Sequence, residues 1–229
     1  MFCVDPMAPY WLFAVFDGAG GNFHPRAASQ AAKNTVLTHV RGYQPASPQD
    51  LSPLVAEALK AANQAVYQIG LARNCTAQVI TTAVVAILFQ GYLCVGHIGD
   101  SRAYLLQDEK ILRLTTDHNL FEQEKRAGIY SEKNGILYNE RLKRTLSRAL
   151  GMESQLALSD EDISVTRLSA TARILLCTDG LLSLEDEEIR KIASTSDPDS
   201  ACCELICKAR LFGSEDDITA LVSHIHPNG

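Results

Sequence analysis

The sequence lacks long hydrophobic runs and concentrated charge of either sign. Its longest apolar stretch, residues 83–89, is far shorter than the roughly 18 residues that a membrane helix needs. No basic segment followed by an apolar run stands near the start, so a secretory signal peptide is not indicated. Lys and Arg total 21 against 27 Asp and Glu, which argues against a broad nucleic-acid-binding face. We therefore expect a cytoplasmic protein with no membrane and no nucleic acid partner.

Paired cysteine motifs are also absent. The seven cysteines are odd in number and scattered, and none forms a CxxC pair. This pattern predicts reduced thiols that act as small apolar side chains. Cys203 and Cys207 would share one face of a helix, but no histidine stands nearby at ligand spacing, so zinc is not favoured.

The hydrophobic content and the order of the apolar patterns predict one α+β domain. The chain has 229 residues, 46% of them hydrophobic, enough for a single sizeable core. Strand and helix patterns come in blocks rather than in strict alternation, which favours antiparallel sheets with helices packed outside them. Helices are predicted at 26–41, 51–71, 120–127, 185–193 and 200–211, and strands at 11–16, 79–89, 92–98, 102–106, 111–114, 163–168, 173–177 and 218–225. Residues 128–140 are polar and poorly periodic, and are predicted to form a surface loop or flap.

Four aspartates stand at the ends of apolar strand patterns. Asp17, Asp100 and Asp179 each follow such a pattern, and Asp216 precedes one. A carboxylate at the edge of a sheet escapes full burial and is held on a rigid support. Gly18 and Gly180 directly follow two of the four, and glycine allows a tight turn in which its carbonyl approaches a ligand.

Carboxylates that converge repel one another, and a hard divalent cation relieves that repulsion. Mg²⁺ and Mn²⁺ prefer such oxygen ligands, and a pair of them would make a water nucleophilic near neutral pH. Hydrolysis of phosphate esters is the chemistry that suits this set. A lone Asp-Gly is usually only a turn, and convergence of the four turns does not follow from the sequence alone.

Several segments resemble, in the same order, the motifs of the PP2C family of metal-dependent serine/threonine phosphatases, in the bacterial form. The strand ending in DGAGG is similar to the family's first Asp-Gly motif, and DDIT stands where the family usually has Asp-Asn-Ile-Thr. The resembling segments are 13–21, 95–104, 114–118, 146–151, 176–181 and 216–219.

This resemblance implies two stacked antiparallel sheets flanked by helices, two or three Mn²⁺ or Mg²⁺ ions, and a phosphoserine or phosphothreonine protein substrate made by a serine/threonine kinase. It implies that Asp17 bridges two metals and that the Gly18 carbonyl binds one of them. Asp179 and Asp216 would ligate a metal, and Asp100 would help hold a third ion. Asp17 and Asp179 are thus the expected catalytic carboxylates.

Three departures from the family pattern bear on activity. The family usually carries an Arg and an acidic pair before this region, and the sequence given begins after that point, with Asp5 as a weak substitute. Ala19 stands where other members have His or Met, so no general acid is available there. Asp217 replaces the usual Asn and adds negative charge, which could strengthen or crowd metal binding.

Three functions remain open from the sequence. The first is an active protein phosphatase, and the second is a catalytically impaired member that acts as a binding or regulatory module. The third is a metal-dependent hydrolase of small phosphoesters. Ser101, Arg102, Asp117 and His118 are interpreted as structural, and the 128–140 flap is either a substrate-selecting loop or a plain connection.

Overall fold

The computed structural model describes residues 1–7, 9–20, 24–129, 136–169, 171–195 and 197–225. Within these ranges the strands are Phe2–Met7 (β1), Tyr10–Val15 (β2), Gly18–Ala19 (β3), Ile80–Thr81 (β4), Ala83–Phe89 (β5), Tyr92–Ile98 (β6), Arg102–Gln107 (β7), Lys110–Arg113 (β8), Ile163–Arg167 (β9), Ala172–Cys177 (β10) and Ala220–Ile225 (β11). The α-helices are Pro25–Val40 (α1), Leu51–Ala72 (α2), Leu120–Arg126 (α3), Ile136–Lys143 (α4), Asp186–Thr195 (α5) and Pro198–Leu211 (α6).

Two antiparallel sheets form the centre of the fold. One has the strand order β1-β2-β5-β6-β9 and the other β11-β10-β7-β8, while β3 and β4 form a separate short ladder. Helices α1 and α2 cover the outer face of the first sheet, and α5 and α6 cover that of the second. This arrangement confirms the predicted α+β class with antiparallel sheets and flanking helices.

Alternating side chains along β2 contribute to two hydrophobic clusters, one on each face of the first sheet. Leu12 and Ala14 face α1 and α2, whereas Phe13 and Val15 face the second sheet. Because both faces of this sheet are covered, its strands are apolar at nearly every position. The run 83–89, which is buried throughout, shows the same property.

Apart from shifted ends, the observed elements differ from the predicted ones at β1, at the short β3–β4 ladder and at α4. Strands β1 and β3 were not predicted. Pro6 is tolerated within β1 because β1 is an edge strand. The predicted strand 79–89 is split between β4 and β5 at Thr82. Helix α4 begins inside the predicted loop 128–140 and continues past its end to Lys143. Residues 130–135 of that loop lie outside the described ranges.

Asp5 lies away from the predicted metal-binding carboxylates. It is in register with Leu12 in the β1–β2 pair, and its carboxylate is 3.5 Å from Arg41. Five residues separate Leu12 from Asp17, about 16 Å at a strand's rise of roughly 3.3 Å per residue. The structure therefore argues against Asp5 as a substitute ligand.

None of the seven cysteines forms a disulfide. Cys203 and Cys207 are both exposed on α6, as the spacing predicts. Among the helices that the structure describes, none is long and apolar enough to cross a membrane.

Candidate metal centre

Two threonines fix the backbone of Asp17 at the end of β2. The Asp17 amide donates to Thr82 Oγ1 at 3.0 Å, and the Asp17 carbonyl accepts from Thr81 Oγ1 at 2.8 Å. The Thr82 amide donates to that same carbonyl at 2.8 Å. Gly18 then pairs with Thr81 in the β3–β4 ladder, where a Cβ atom would lie 2.0 Å from the Pro25 carbonyl oxygen. Only glycine fits there, so the chain after Asp17 passes tightly against the start of α1.

Asp100 is held next to the same threonines. It follows β6 through Gly99, which has φ 104° and would place a Cβ 2.6 Å from the Thr82 side chain. Thr82 Oγ1 and Ser101 Oγ share a hydrogen bond of 2.7 Å. Thr82 thus links the turn of Asp17 to the turn of Asp100, which lies two strands away in the first sheet.

The second sheet supplies Asp179 and Asp216. Thr178, at the end of β10, accepts a hydrogen bond from the Thr219 amide at 2.9 Å and donates one to the Asp217 carbonyl at 3.2 Å. A Cβ on Gly180 would lie 2.7 Å from the Asp217 carbonyl oxygen, so the two segments are in close contact. This packing brings the loop that carries Asp216 against the turn that carries Asp179.

The carboxylates of Asp17, Asp179 and Asp216 interact electrostatically. Burial, followed by the charges of Asp179 and Asp216, raises the pKa of Asp17 to about 7, although the nearby amino group of Met1 acts in the opposite direction. Burial and the charge of Asp216 raise the pKa of Asp179, while a hydrogen bond from the Asp17 carboxyl acts to lower it. The structure therefore brings three of the four predicted aspartates into one interacting group.

Asp100 belongs to the same electrostatic group. It is 5% exposed, and burial, together with the charges of Asp179, Asp117 and Asp17, raises its pKa to about 8. Within the described ranges, no lysine or arginine forms an ion pair with any of the four aspartates. Buried carboxylates without a cationic partner are costly to ionise, and a bound metal ion offsets that cost.

The donor set fits a hard divalent cation. Asp17, Asp100, Asp179 and Asp216 offer carboxylate oxygens, and Gly18 offers a backbone carbonyl directly after Asp17. Neither sulfur nor imidazole belongs to this group, which suits Mg²⁺ or Mn²⁺ better than zinc or copper.

The two other departures noted in the sequence have clear positions. Ala19 lies in β3 opposite Ile80 and carries no acid or base. Asp217 is exposed, and its backbone carbonyl, rather than its carboxylate, makes the hydrogen bond to Thr178.

A second group of possible ligands consists of His97, His118 and Asp162, whose ligand atoms lie within 4.8 Å of one another. Asp162 accepts hydrogen bonds from both terminal nitrogens of Arg148, at 2.9 and 2.8 Å. His118 Nδ1 accepts from the Gly99 amide at 3.1 Å, so its proton is on Nε2, which faces Asp162 Oδ1 at 3.2 Å. Burial would raise the pKa of Asp162, but the hydrogen bonds from His118 and Arg148 hold it well below its usual range.

The nitrogens of His97 are also engaged, with the carbonyl of Asp162 at 3.2 Å and with Thr116. Its ring stacks on His118 with centroids 4.8 Å apart, and burial followed by this neighbour lowers the pKa of His97 to about 4. Because hydrogen bonds already occupy its donors and acceptors, this group is a structural network that supports the turn before Asp100.

Asp117 is likewise paired. Arg102 donates to its two oxygens at 3.0 and 2.7 Å, and Arg113 also contacts it. These pairs support the interpretation of Arg102, Asp117 and His118 as structural residues. Thr81 and Thr82 were missed by the sequence reasoning; two adjacent hydroxyl residues within an otherwise apolar strand pattern were the available signal.

The family comparison agrees with this geometry. The Protein phosphatase 2C family matches residues 8–218. The chain belongs to the protein phosphatase 2C family.

Bacterial phosphatases are among the named relatives. The chain is 36% identical over 146 residues to the serine/threonine phosphatase stp of Listeria innocua, a match that covers 62% of this chain and 55% of that protein. The match thus spans about half the length of this curated relative. The structure is similar to that of the Mycobacterium tuberculosis serine/threonine phosphatase PstP/Ppp, with a TM-score of 0.80, 25% identity, and coverage of 96% of this chain and 90% of that one. A further structure, of the PstP catalytic domain in complex with two manganese ions, has a TM-score of 0.76 at 24% identity and covers 98% of this chain and 91% of that one.

Proposed function

We propose that this chain is a Mn²⁺- or Mg²⁺-dependent phosphatase that removes phosphate from phosphoserine and phosphothreonine in proteins. Its partners are then phosphorylated proteins and, indirectly, the serine/threonine kinases that produce them. The observation that carries the proposal is the group of four aspartates at strand ends, with raised pKa values at Asp17, Asp100 and Asp179 and no cationic side chain paired to them within the described ranges. Family membership and the printed names of the relatives support the reaction class.

Each aspartate has a separate role in this proposal. Asp17, Asp179 and Asp216, together with the Gly18 carbonyl, would hold the metal ions, with Asp17 shared between them. Asp100 would help to hold a further ion. When bound, the ions would supply Lewis acidity that makes a water nucleophilic near neutral pH and offsets the charge of the phosphate ester.

The chain's own residues position this group. Thr81 and Thr82 hold the Asp17 turn by three hydrogen bonds, and Thr178 holds the Asp179 turn against the segment of Asp216. Because Asp17 and Asp100 lie on the first sheet and Asp179 and Asp216 on the second, the relative position of the two sheets sets the spacing of the carboxylates.

The decisive experiment compares wild type with Asp179→Asn after removal of metal and addition of Mn²⁺. Hydrolysis of a phosphothreonine peptide and of p-nitrophenyl phosphate is measured, and Mn²⁺ binding is followed by calorimetry. Loss of a metal ligand is expected to lower Mn²⁺-dependent kcat/KM by about 100-fold or more, since even supporting residues around a metal contribute roughly 10–100-fold. Asp108→Asn, in an exposed turn, is the matched control.

Three results would change the conclusion. Unchanged Mn²⁺-dependent activity in Asp179→Asn would refute the metal assignment. Hydrolysis of p-nitrophenyl phosphate without hydrolysis of the peptide would favour a small-phosphoester hydrolase. Tight phosphopeptide binding with neither Mn²⁺ binding nor hydrolysis would favour a regulatory module.

A further inference from the structure

A cavity of about 550 Å³ lies beside the aspartate group, between α4 and the segment 212–216 that follows α6. We call it the α4 groove; its walls include Lys143 and Arg144 on one side, Asp179 and Asp216 on another, and Phe212. Its volume falls within the range of roughly 300–1,000 Å³ that is typical of ligand pockets. This is larger than a single phosphate group needs, so the groove has room for residues next to a phosphorylated side chain.

The two cationic side chains of the groove, Lys143 and Arg144, differ in their interactions. Lys143 Nζ lies 2.9 Å from Glu140 Oε1 and 5.3 Å from the centroid of the Phe121 ring, so its charge is partly satisfied. Arg144 is exposed, and its guanidinium makes no hydrogen bond or ion pair with the residues that the structure describes. Although Asp179, Asp216 and Glu215 line the same cavity, Arg144 pairs with none of them. Arg144 is thus an available charge in a groove that leads to the proposed reaction centre.

Phe212 gives the groove an apolar contact surface. It is 60% exposed where α6 ends, and it lines the cavity, whereas the preceding Leu211 is 85% exposed and does not. An aromatic ring held open to solvent beside a charged pocket can bury area against an apolar side chain of a ligand.

We infer that the α4 groove binds the substrate residues next to the phosphoserine or phosphothreonine, with an acidic side chain paired to Arg144 and an apolar side chain packed on Phe212. The inference rests on the proposed function for the phosphorylated residue itself, and adds a sequence preference to it. Charge complementarity carries it, because an unpaired guanidinium is best matched by a carboxylate.

The test uses three phosphothreonine peptides of equal length, whose flanking charged positions are Glu, Ala or Lys around a common apolar residue. Wild type, with Mn²⁺, is expected to prefer the Glu peptide over the Lys peptide by about tenfold in kcat/KM, as charge complementarity across a partly desolvated contact allows. Arg144→Glu should abolish or reverse that ratio. Arg141→Glu, which reverses an exposed charge on the same helix outside the groove, should retain the wild-type ratio.

The aromatic contact is tested in the same assay. Phe212→Ala should raise KM for all three peptides while the Glu-to-Lys ratio stays as in wild type, and Leu211→Ala should change neither. An equal loss for the peptides and for p-nitrophenyl phosphate in Arg144→Glu would overturn the inference, because the arginine would then act on the phosphate or on the fold. Equal rates of wild type on all three peptides would overturn it as well.

A measurement of peptide binding tests this inference independently of the proposed function. Fluorescence anisotropy of the same labelled peptides measures the charge preference whether or not hydrolysis occurs. A Glu-over-Lys preference in Kd that Arg144→Glu removes supports the groove even if no phosphate is released, in which case only the phosphatase proposal fails. Hydrolysis without any charge preference in Kd or kcat/KM rejects the groove and leaves the phosphatase proposal standing.

Discussion

Two sets of buried or half-buried aspartates lie near each other in this protein and differ in whether an arginine is paired with them. Asp117 and Asp162 are 6% and 1% exposed, and Asp100 is 5% exposed. The first two are each paired with an arginine through both carboxylate oxygens. Asp100, in contrast, shares its surroundings with Asp17 and Asp179, and burial raises its pKa to about 8.

The presence or absence of an arginine partner separates the structural aspartates from the proposed metal ligands better than burial does. An ion pair with satisfied hydrogen bonds compensates the loss of hydration, and the pKa of Asp162 is accordingly held well below its usual range. The other set retains a free-energy cost of ionisation, which either a proton or a bound cation removes. Strongly perturbed carboxyl groups in a cleft are therefore candidates for function.

Among the variants that test this comparison, Asp17→Asn is expected to have the largest effect. Mn²⁺-dependent hydrolysis should fall by about 100-fold or more, because a proposed metal-binding carboxylate is lost. The free energy of unfolding without metal should not fall, because a carboxyl group that resists ionisation is replaced by a neutral amide. Steady-state kinetics and urea denaturation measure the two quantities. Asp5→Asn, on the neighbouring strand of the same sheet, is the control and should retain activity.

Asp162→Asn should, in contrast to Asp17→Asn, lower the free energy of unfolding. Removing one partner of a buried ion pair costs about 3 kcal/mol of unfolding free energy, since Arg148 loses its bidentate partner. Urea denaturation at pH 7 measures it, and Glu161→Gln, an exposed neighbour paired with Arg126, should remain close to wild type. A stable Asp162→Asn variant would contradict the structural reading of this network.

Mn²⁺ should stabilise the protein only through the set of aspartates that lacks an arginine partner in the described part of the chain, which includes Asp17, Asp100 and Asp179. At a free concentration of 100 times Kd, a ligand that binds only the folded state adds about 2.7 kcal/mol. The rise in Tm should disappear in Asp17→Asn and persist in Asp162→Asn. If Asp162→Asn loses the rise while Asp17→Asn keeps it, the metal binds at His97, His118 and Asp162 instead.

The smallest expected effect is the pH dependence of the metal-free protein. Folded Asp17 and Asp100 keep their protons to about pH 7 and 8, whereas the unfolded chain releases them near pH 3.9. The unfolded state thus binds fewer protons in between, and stability falls as pH rises.

Between pH 7 and 8.5 the loss should be about 1–2 kcal/mol by urea denaturation in the presence of a chelator. His97, with its pKa lowered to about 4, acts in the opposite direction only below this window. Asp100→Asn should flatten the curve, and a rise in stability with pH in wild type would contradict the assignment.

The sequence predicted the individual turns of this site but not their meeting. Asp17 and Asp179 follow apolar runs that form β2 and β10, and alternation within those runs is a local property. Their convergence depends on the pairing of β10 with β7 and β11 and on the stacking of the two sheets, which is long-range and does not appear in the pattern of any single strand. The ordered resemblance to the family supplied what the pattern could not.

The local errors also have physical causes. Thr82 interrupts a run that the sequence pattern predicts as one strand. Its side-chain oxygen accepts a hydrogen bond from the Asp17 amide. Helix α4 has weak periodicity, and it is supported by a Glu140–Lys143 pair one turn apart and by packing on α3. Strand β1 contains a proline that only an edge position allows.

The strand order of the two sheets has a consequence for how the protein is made. Each sheet joins strands from distant parts of the chain. In the first sheet β2 pairs with β5 across α1 and α2, and β6 pairs with β9 across α3 and α4. In the second sheet β10 must likewise find β7 across some 70 residues, and β11 comes later still. The four aspartates are therefore all present only when residue 216 has been synthesised, at a stage when most of the strands that hold them apart from bulk solvent already exist.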